Sequence, residues 1–247
     1  MRRKLYMLAT DLDGTLVGDK DALQKLLHYY DKFPQEVALV YITGRHYHSA
    51  LSLITSENLP RPDILITDSG TSIYKSPNFC VDQNWQKEMR VNWLPKEIIK
   101  VAEDFPSLNR QSLPNTDRIS FTVYNDYETV SQLGSSLRQK NIPHKLIYSS
   151  NRDVDILPVK SGKGNALIYI LNNFSCKEVQ ILVAGDSGND QEMLSLGYPS
   201  VIVGNAQPEL ANIKGHRKLY MATQNYAGGI HEAWVHFYEA NKIEGTF

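Results

Sequence analysis

The feature that most constrains the fold is a series of short apolar runs that are continuous rather than alternating. The runs are LYMLAT from Leu5, VALVYIT from Val37, DILIT from Asp63, QILVA from Gln180 and SVIV from Ser200. Continuous apolar runs are typical of strands that are buried on both faces, as in a parallel sheet. Helical patterns such as ALQKLLHYYDKF and GNALIYILNNF separate the runs. The sequence therefore predicts an α/β fold with a doubly wound parallel sheet, a Rossmann-like core.

The middle of the chain has a different pattern. The segment DRISFTVY, from Asp117 to Tyr124, alternates apolar and polar residues and predicts a half-buried antiparallel strand. A helical stripe follows, and Asn125 with Glu128 forms a capping-box-like pair that predicts where this helix begins. The segment KLIYSSNRDVDIL then predicts two strands joined by a polar turn around residues 149–152. The middle of the chain therefore predicts a small α+β unit.

The two patterns divide the chain into two domains. We expect residues 82–158 to form an α+β cap domain, inserted into a catalytic core domain of residues 1–81 and 159–247. A chain of 247 residues is long enough for two unequal domains and for a substantial buried core.

Charge and cysteine content exclude several classes of protein. The 26 basic and 27 acidic residues give a formal net charge of -1, whereas nucleic-acid binders usually carry a basic excess, so we expect no nucleic-acid partner. No run approaches the roughly 20 apolar residues of a membrane span. The charged start of the chain reaches Asp11 too early to hold a signal-peptide core. We therefore expect a cytoplasmic protein without a membrane partner, in which Cys80 and Cys176 are free thiols that fit no zinc spacing.

Polar clusters follow most of the apolar runs. They are DLDGT from Asp11, TGR from Thr43, DSG from Asp68 and GDSGND from Gly185. Ligands of an open parallel sheet bind beyond the carboxyl ends of its strands, where such clusters come together. The acidic side chains that this arrangement gathers are Asp11, Asp13, Asp186 and Asp190. Carboxylates this close require a cation, and oxygen ligands without histidine or thiol indicate a hard ion such as Mg²⁺.

These residues suit phosphoryl transfer. Asp11 and Asp13 are two residues apart at a strand end, so both side chains can point towards one pocket. One carboxylate can attack phosphorus, and the other can protonate the leaving oxygen and then activate water. Thr43 supplies a hydroxyl group. Lys163 supplies positive charge at the start of a predicted helix, where the helix dipole also favours an anion.

The order of these motifs resembles a known superfamily. The segment DLDGT, Thr43, Lys163 and the segment GDSGND match, in this order, the four motifs of the haloacid-dehalogenase-like phosphohydrolases. The resemblance covers nearly the whole chain and implies that Asp11 is the nucleophile and Asp13 the acid/base. It also implies that Thr43 and Lys163 hold the phosphoryl group, and that an α/β cap lies between them. The implied magnesium ligands and their supporting residues are Asp11, the backbone carbonyl of Asp13, Asp186, Asn189 and Asp190.

Further segments carry a narrower resemblance. They are TGRHYHSA (Thr43–Ala50), SSNRDVDILP (Ser149–Pro158), KGNA (Lys163–Ala166), NAQPEL (Asn205–Leu210) and AGGI (Ala227–Ile230). They resemble the sucrose-phosphate phosphatases of cyanobacteria and plants, and the mannosylfructose-phosphate phosphatases share much of the pattern. This resemblance implies a disaccharide monophosphate with its phosphate on a fructose carbon, with sucrose 6-phosphate as the first candidate.

Several residues keep alternative explanations. The candidate substrate-binding residues are Thr43, Gly44, Arg45, His48, Lys163 and Asn189. A salt bridge at the pocket rim explains Arg45 equally well, and a polar surface position explains His48. In the cap, the turn at residues 149–153 is the expected sugar contact, with a plain hairpin turn as the alternative.

Other functions also remain open beside hydrolysis of sucrose 6-phosphate. A mannosylfructose-phosphate phosphatase, or another sugar-phosphate phosphatase, would keep the chemistry and change the substrate. A sugar phosphomutase would use the same carboxylates but protect the aspartyl-phosphate from water. A non-catalytic regulator would be expected to lack Asp11 or Lys163, and both are present. For partners we expect a small sugar phosphate and a monomeric protein, with the sugar-phosphate synthase as a further candidate.

Overall fold

A computed structural model of the protein describes residues 4–33, 36–175, 178–213 and 215–239. The strands among these residues are β1 (Tyr6–Thr10), β2 (Val37–Ile42), β3 (Ile64–Thr67), β4 (Ser72–Lys75), β5 (Cys80–Val81), β6 (Asn109–Arg110), β7 (Ile119–Thr122), β8 (Lys145–Ser149), β9 (Asp153–Leu157), β10 (Gln180–Gly185), β11 (Ser200–Ile202) and β12 (Leu219–Met221). The α-helices are α1 (Lys20–Lys32), α2 (Tyr47–Ser56), α3 (Gln83–Arg90), α4 (Pro95–Ala102), α5 (Tyr127–Gln139), α6 (Lys163–Phe174), α7 (Gln191–Leu194) and α8 (Tyr226–Tyr238).

The core is built on one sheet with the strand order β12-β11-β10-β1-β2-β3-β4-β5. Neighbouring strands from β12 to β3 are parallel, and β4 and β5 add an antiparallel edge. Leu8 of β1 lies opposite Leu39 of β2 on one side and Leu182 of β10 on the other. The strand order reverses at β1, so the crevice beyond its carboxyl end is where such a sheet binds ligands. The predicted doubly wound parallel sheet is confirmed.

Helices cover both faces of the core sheet, which is why its central strands are mostly apolar along their length. In β1, Leu8 packs into a cluster with residues of α1, α2 and α8, whereas Met7 and Ala9 pack into a second cluster with α3, α6 and α7. Successive side chains of one strand point to opposite faces, so they enter opposite layers. Trp234 of α8 is fully buried in the first cluster.

The inserted cap has a sheet and a hydrophobic core of its own. Its antiparallel sheet has the strand order β6-β7-β9-β8. Helices α4 and α5 share a buried cluster with this sheet that includes Ile98, Phe121, Leu133 and Val154. The predicted alternating strand corresponds to β7, and the two strands predicted from KLIYSSNRDVDIL correspond to β8 and β9.

The start of α5 differs from the sequence prediction by one residue. Asp126, rather than Asn125, caps the helix by accepting a hydrogen bond from the Thr129 backbone N–H at 2.9 Å. Asn125 has a left-handed φ of 51°, and its backbone N–H donates to the Asn151 carbonyl in the β8–β9 turn. Asn and Asp are both good capping residues, so pattern alone could not separate the neighbours.

The expected boundary at residue 82 would assign α3 to the cap, but α3 packs on the core. Trp85 and Met89 are buried in the second core cluster, and Trp85 Nε1 donates to the Gly70 carbonyl at 3.1 Å. The apolar residues of the cap cluster begin in the next segment, with Trp93 at its margin and Ile98 of α4 fully buried. We therefore propose that the cap begins between α3 and α4.

The sequence predicts no membrane span and two free cysteines, and the described residues bear on both predictions. Among them, no helix combines the length and the apolar character that a membrane span needs. Cys80 is an exposed free thiol. Cys176 lies outside the described residues, so the expectation that it is also free stays a prediction.

Candidate active site

Three carboxylates meet beyond the carboxyl ends of the central strands β1 and β10. Asp11 follows β1 directly, and Asp186 and Asp190 lie in the loop after β10. Oxygen atoms of these side chains all lie within 4.8 Å of one another, and all three residues are buried. Oxygen ligands at this spacing, without nitrogen or sulfur, fit a hard divalent cation such as Mg²⁺.

The Lys163 ammonium group partly neutralises this cluster. Its Nζ donates to Asp11 Oδ1 at 2.6 Å and to Asp190 Oδ1 at 2.7 Å, and its side chain is only 1% exposed. Lys163 is the first residue of α6 and follows Gly162, whose φ of 114° favours glycine. Gly70 packs so closely on this turn that a Cβ there would lie 2.3 Å from the Gly162 carbonyl carbon. The tight backbone packing fixes the base from which Lys163 reaches the carboxylates.

The protonation of the cluster reflects a balance between burial and charge. Burial raises the pKa of Asp11 well above its usual value; attraction from Lys163 opposes this rise, and repulsion from Asp190 and Asp186 adds to it. Burial, followed by repulsion from Asp190, raises the pKa of Asp186 to about 6. Burial alone would lower the pKa of Lys163, but attraction from Asp11 and Asp190 raises it above its usual value. One ammonium group therefore leaves excess negative charge that a cation would relieve.

Asp186 and Asp190 differ in how many of their oxygen atoms are already bound. Asp190 Oδ1 accepts from Lys163, and its Oδ2 accepts from the backbone N–H groups of Asp186 at 3.0 Å and Ser187 at 3.1 Å. Asp186 Oδ1 accepts from Thr15 Oγ1 at 2.7 Å, whereas its Oδ2 has no hydrogen-bond partner among the described residues. Asp190 thus fixes the loop, and Asp186 keeps an oxygen atom for a cation.

The Asp13 carboxylate lies apart from this buried cluster and pairs with Arg45. Arg45 Nε and Nη2 donate to the two Asp13 oxygens at 2.7 Å each, and Nη1 donates to Ser49 Oγ at 2.9 Å. The side chains of Arg45 and Asp13 are 36% and 49% exposed. A bidentate pair fixes the direction of a carboxylate, and its exposure leaves Asp13 accessible from the cleft. Arg45 therefore forms the salt bridge at the pocket rim that was one of the two explanations for this residue.

The loop after β3 supports the loop that carries Thr43. The backbone N–H of Ser69 donates to the Thr43 carbonyl at 3.1 Å, and that of Asp68 donates to the Arg45 carbonyl at 2.8 Å. Asp68 and Ser69 have left-handed φ values of 52° and 54°. Residues other than glycine adopt this conformation at a cost, which the surrounding contacts offset. Gly44 lies beside this support, where a Cβ would meet Ser69 Oγ at 3.6 Å.

A cleft of about 560 Å³ separates these core loops from the cap. Its core side is lined by Asp11, Asp13, Thr43, Gly44, Arg45, His46, Ser49, Ser187 and Asn189. Its cap side is lined by Gln111, Ser112, Leu113, Arg118, Ser149, Ser150, Arg152, Asp153 and Asp155. The volume lies within the range of small-molecule sites, and the lining is mostly polar, as a phosphorylated sugar requires.

The sequence matches the family described as Sucrose-6F-phosphate phosphohydrolase over residues 4–238. The chain belongs to this family. It is similar to the sucrose-phosphatase of Synechocystis, solved in complex with sucrose and phosphate, with 37% identity and a TM-score of 0.88. That match covers 96% of this chain and 98% of the Synechocystis chain. The resemblance to sucrose-phosphate phosphatases is thereby confirmed.

Two curated relatives extend the comparison. The mannosylfructose-phosphate phosphatase of Agrobacterium fabrum is 29% identical over 95% of this chain and 98% of its own length. The glucosylglycerol-phosphate synthase of Pseudomonas anguilliseptica is 31% identical over 94% of this chain, which spans only 30% of that longer protein. A HAD subclass IIB sugar phosphatase, 16% identical with a TM-score of 0.67, shares the fold.

Most of the residues that the sequence singled out come together in the structure. Asp11, Asp13, Thr43, Gly44, Arg45 and Asn189 line the cleft, while Lys163, Asp186 and Asp190 lie against its floor through the carboxylate cluster. His48 is not among the lining residues; it is exposed and its ring contacts Tyr47. Its neighbour His46 lines the cleft instead, because His46 caps α2 and the helix carries His48 away from the loop.

A buried ion pair at the junction of cap and core was not found from the sequence. Arg118 Nη1 lies 2.7 Å from Asp155 Oδ1, and Arg118 Nε lies 3.4 Å from Asp68 Oδ1. Ser69 Oγ donates to Asp155 Oδ2 at 2.8 Å, which joins the cap sheet to the loop that supports Thr43. The sequence signal for this ion pair is Asp155, an acidic residue between apolar neighbours in the segment DVDIL. A charge in such a segment indicates a buried ion pair, because buried charges need partners. Nothing in the spacing identified Arg118 as that partner.

Proposed function

We propose that the chain hydrolyses a phosphorylated disaccharide, sucrose 6-phosphate, to sucrose and phosphate. The observation that carries the proposal is the buried Lys163 ammonium group, which joins Asp11 to Asp190 at the floor of the cleft. A carboxylate held beside a fixed positive charge and a set of cation-binding oxygens is suited to attack phosphorus. The identity of the sugar is supported by the similarity to the Synechocystis enzyme, which was solved with sucrose and phosphate.

In the first step, a carboxylate oxygen of Asp11 forms a bond to phosphorus as the bond from phosphorus to the sugar oxygen breaks. Asp13 donates a proton to the leaving sugar oxygen. Arg45 orients Asp13 through the bidentate pair. The Thr43 hydroxyl and the Lys163 ammonium group bind the phosphoryl oxygens while charge develops on them.

In the second step, Asp13 is ionised and accepts a proton from a water molecule. The water oxygen bonds to phosphorus, and the bond between phosphorus and Asp11 breaks, which frees phosphate and restores the Asp11 carboxylate. Asp13 keeps the proton for the next turnover. The cap lines one side of the cleft, where it would limit the access of bulk water in both steps.

The residues present fit Mg²⁺. Asp11 and Asp186 would hold the ion with free carboxylate oxygens, and the Asp13 backbone carbonyl is a further expected ligand. Asp190 would support it from outside, because both of its oxygens already accept hydrogen bonds. When bound, Mg²⁺ supplies positive charge that draws the phosphate to Asp11 and offsets the repulsion among the carboxylates.

A second candidate substrate is mannosylfructose phosphate. The relative of that name matches over nearly the whole of both chains, at 29% identity. Both candidates are disaccharide monophosphates, so they would use the same core residues and differ in contacts with the cap. We place sucrose 6-phosphate first because the similarity to the Synechocystis sucrose-phosphatase is higher.

The test is phosphate release, with Mg²⁺ present, from sucrose 6-phosphate, mannosylfructose phosphate, glucose 6-phosphate, fructose 6-phosphate and an aryl phosphate. We expect the highest kcat/KM for sucrose 6-phosphate. A preference for mannosylfructose phosphate would transfer the assignment to the second candidate. Equal rates on the two hexose phosphates would overturn the disaccharide proposal, and dependence on a bisphosphate activator would indicate a phosphomutase.

Association with a sugar-phosphate synthase also belongs to this proposal. It is supported by the Pseudomonas anguilliseptica protein, in which a segment similar to this chain forms part of a longer synthase. The phosphorylated product of the synthase would then reach the phosphatase without dilution. The monomeric state and the cytoplasmic location stay predictions.

A further inference from the structure

The segment that follows β11 is bonded to both acidic loops of the core. Asn205 Nδ2 donates to the Gly14 carbonyl at 2.7 Å, beside the loop that carries Asp11. The backbone N–H of Gln207 donates to the Asp186 carbonyl at 2.7 Å. This segment is therefore fixed against the two loops that supply the carboxylate cluster.

Glu209, in the same segment, reaches from the core to the cap. Its two carboxylate oxygens each accept from the Ser150 backbone N–H at 3.1 Å, and Ser150 lies in the β8–β9 turn of the cap. Its Oε1 also accepts from the Gly188 backbone N–H at 2.5 Å, two residues from Asp186 and from Asp190. One carboxylate thus joins the cap turn to the loop that holds the cation-binding residues.

Two features of the neighbouring backbone allow Glu209 to bind there, a glycine at residue 188 and a free N–H group at Ser150. A Cβ on Gly188 would lie 2.7 Å from Glu209 Oε1, so a side chain at this position would displace the Glu209 carboxylate. In the cap turn, the closing hydrogen bond runs from the Arg152 N–H to the Ser149 carbonyl. That bond leaves the Ser150 N–H unused by the hairpin, at a left-handed residue with φ of 54°. The turn therefore presents a free donor to the core, and Glu209 accepts from it.

An ion pair also joins the cap to the core at this edge of the cleft. Lys145 Nζ of β8 is 2.9 Å from Glu192 Oε1 of α7. Both side chains are partly exposed, so this pair alone is weak. Glu209 differs because it accepts from backbone groups, whose positions are set by the hairpin and by the acidic loop.

We propose that Glu209 is a positioning residue that holds the cap turn against the acidic loop and so sets the cleft in its closed form. The turn that it holds carries Arg152 and Asp153, which line the cap side of the cleft. Closure therefore fixes the cap contacts of a bound substrate relative to Asp11. The prediction for activity rests on the proposed phosphatase function, whereas the prediction for closure does not.

The test compares Glu209→Ala and Glu209→Gln with the native chain and with Glu103→Ala, which removes an exposed carboxylate at the end of α4. Amide hydrogen exchange, without substrate, is measured over residues 145–152 and 186–190. We expect about tenfold faster exchange in both segments of Glu209→Ala, an intermediate effect for Glu209→Gln and none for the control. Glu209→Gln keeps the side-chain length and one acceptor, so it remains informative where the alanine variant folds poorly.

Steady-state kinetics distinguish a contact with the cap from an effect within the core alone. We expect KM for sucrose 6-phosphate to rise about tenfold in Glu209→Ala, with a smaller change in kcat. The loss of kcat/KM should be at least about threefold larger for sucrose 6-phosphate than for an aryl phosphate, which offers no sugar hydroxyl groups to the cap. Equal losses on both substrates, or unchanged exchange in the cap turn, would overturn the proposal. A native chain inactive on every phosphate would reject the phosphatase function, and the exchange data would still decide whether Glu209 closes the cleft.

Discussion

The ion pairs on the core side of the cleft are more deeply buried than the ion pair at the cap turn. On the core side, Lys163 is 1% exposed and lies between the carboxylates of Asp11 and Asp190, which are 7% and 0% exposed. On the cap side, the Arg152–Asp153 pair is 51% and 26% exposed. Breaking a buried pair by removing one partner typically costs about 3–5 kcal/mol, whereas an exposed pair contributes about 0–1 kcal/mol. Removal of Lys163 would therefore leave buried carboxylates unpaired, whereas removal of Arg152 would not. The buried Arg118–Asp155 pair, at the junction of cap and core, resembles the Lys163 pairs in this respect.

This difference indicates how one core can serve several sugar phosphates. The residues that we propose to act on phosphorus lie on loops that follow the central strands, and the similarity to relatives with other names extends over this whole arrangement. Residues that would meet the sugar lie on a hairpin turn and on the loop around Gln111, both in the separate cap sheet. Substitutions in the cap can then alter the sugar contacts without disturbing the carboxylate cluster. The following predictions test this separation.

The largest expected effect is that of Asp11→Asn. An amide does not attack phosphorus as a carboxylate does, so turnover should fall by at least about 10²–10⁴-fold on sucrose 6-phosphate and on an aryl phosphate alike. The melting temperature should not fall, because burial and neighbouring carboxylates already disfavour the Asp11 charge, and the amide oxygen can still accept from Lys163. Phosphate release and thermal unfolding measure the two effects. Activity that remained on one substrate only would contradict a shared core chemistry.

The fold could be predicted largely because its signals are local. The central core strands are mostly apolar along their length, since alternate side chains enter opposite helical layers, and this makes the runs from Leu5, Val37 and Gln180 recognisable. The cap edge strand β6 has only two residues, Asn109 and Arg110, both exposed, so it leaves no pattern to detect. The packing of α3 on the core could not be predicted from the sequence either, because a boundary between domains depends on contacts rather than on periodicity.

The site could be predicted only where its residues belong to contiguous motifs. Asp11 and Asp186 stand at strand ends in the glycine-containing motifs DLDGT and GDSGND, which mark them in the sequence before any contact is known. Arg118 and Glu209 act through partners in distant segments, Asp155 and Ser150, which only the tertiary fold brings near. A single sequence contains no information on which distant residues pair, so the contacts between cap and core could be found only in the structure.

A smaller effect is expected from Mg²⁺, and it should depend on pH. The folded-state pKa of Asp186, about 6, lies above the ordinary value of 3.8, so the folded chain binds more protons than the unfolded chain between these values. Stability from this group is therefore lost as pH rises through that window, and a bound cation restores it. At about 100 times its Kd, Mg²⁺ should add about 2.7 kcal/mol to the free energy of unfolding near neutral pH, and much less at about pH 5.

Thermal unfolding in Mg²⁺ or in EDTA, at about pH 5 and about pH 7.5, measures this difference. Comparing the two solutions at each pH removes the contribution of groups that do not contact the ion. Asp186→Asn is the matched control, because it removes the titrating ligand and should abolish most of the Mg²⁺-dependent shift. An equal shift at both pH values would show that the ion binds somewhere other than this cluster.

The smallest expected effect is that of Arg152→Ala, on the cap side. Arg152 pairs with Asp153 at 2.7 Å beside the cleft, so its removal takes away a positive charge and leaves an unpaired carboxylate facing an anionic substrate. The ratio of kcat/KM for sucrose 6-phosphate to that for an aryl phosphate should fall about tenfold, or about 1.4 kcal/mol. Stability should change by less than about 1 kcal/mol, because the pair is exposed. Arg138→Ala, an exposed arginine of α5 outside the cleft lining, is the matched control. If both arginine variants lowered the ratio equally, the effect would come from the net charge of the cap, and the cap side would not select the sugar through Arg152.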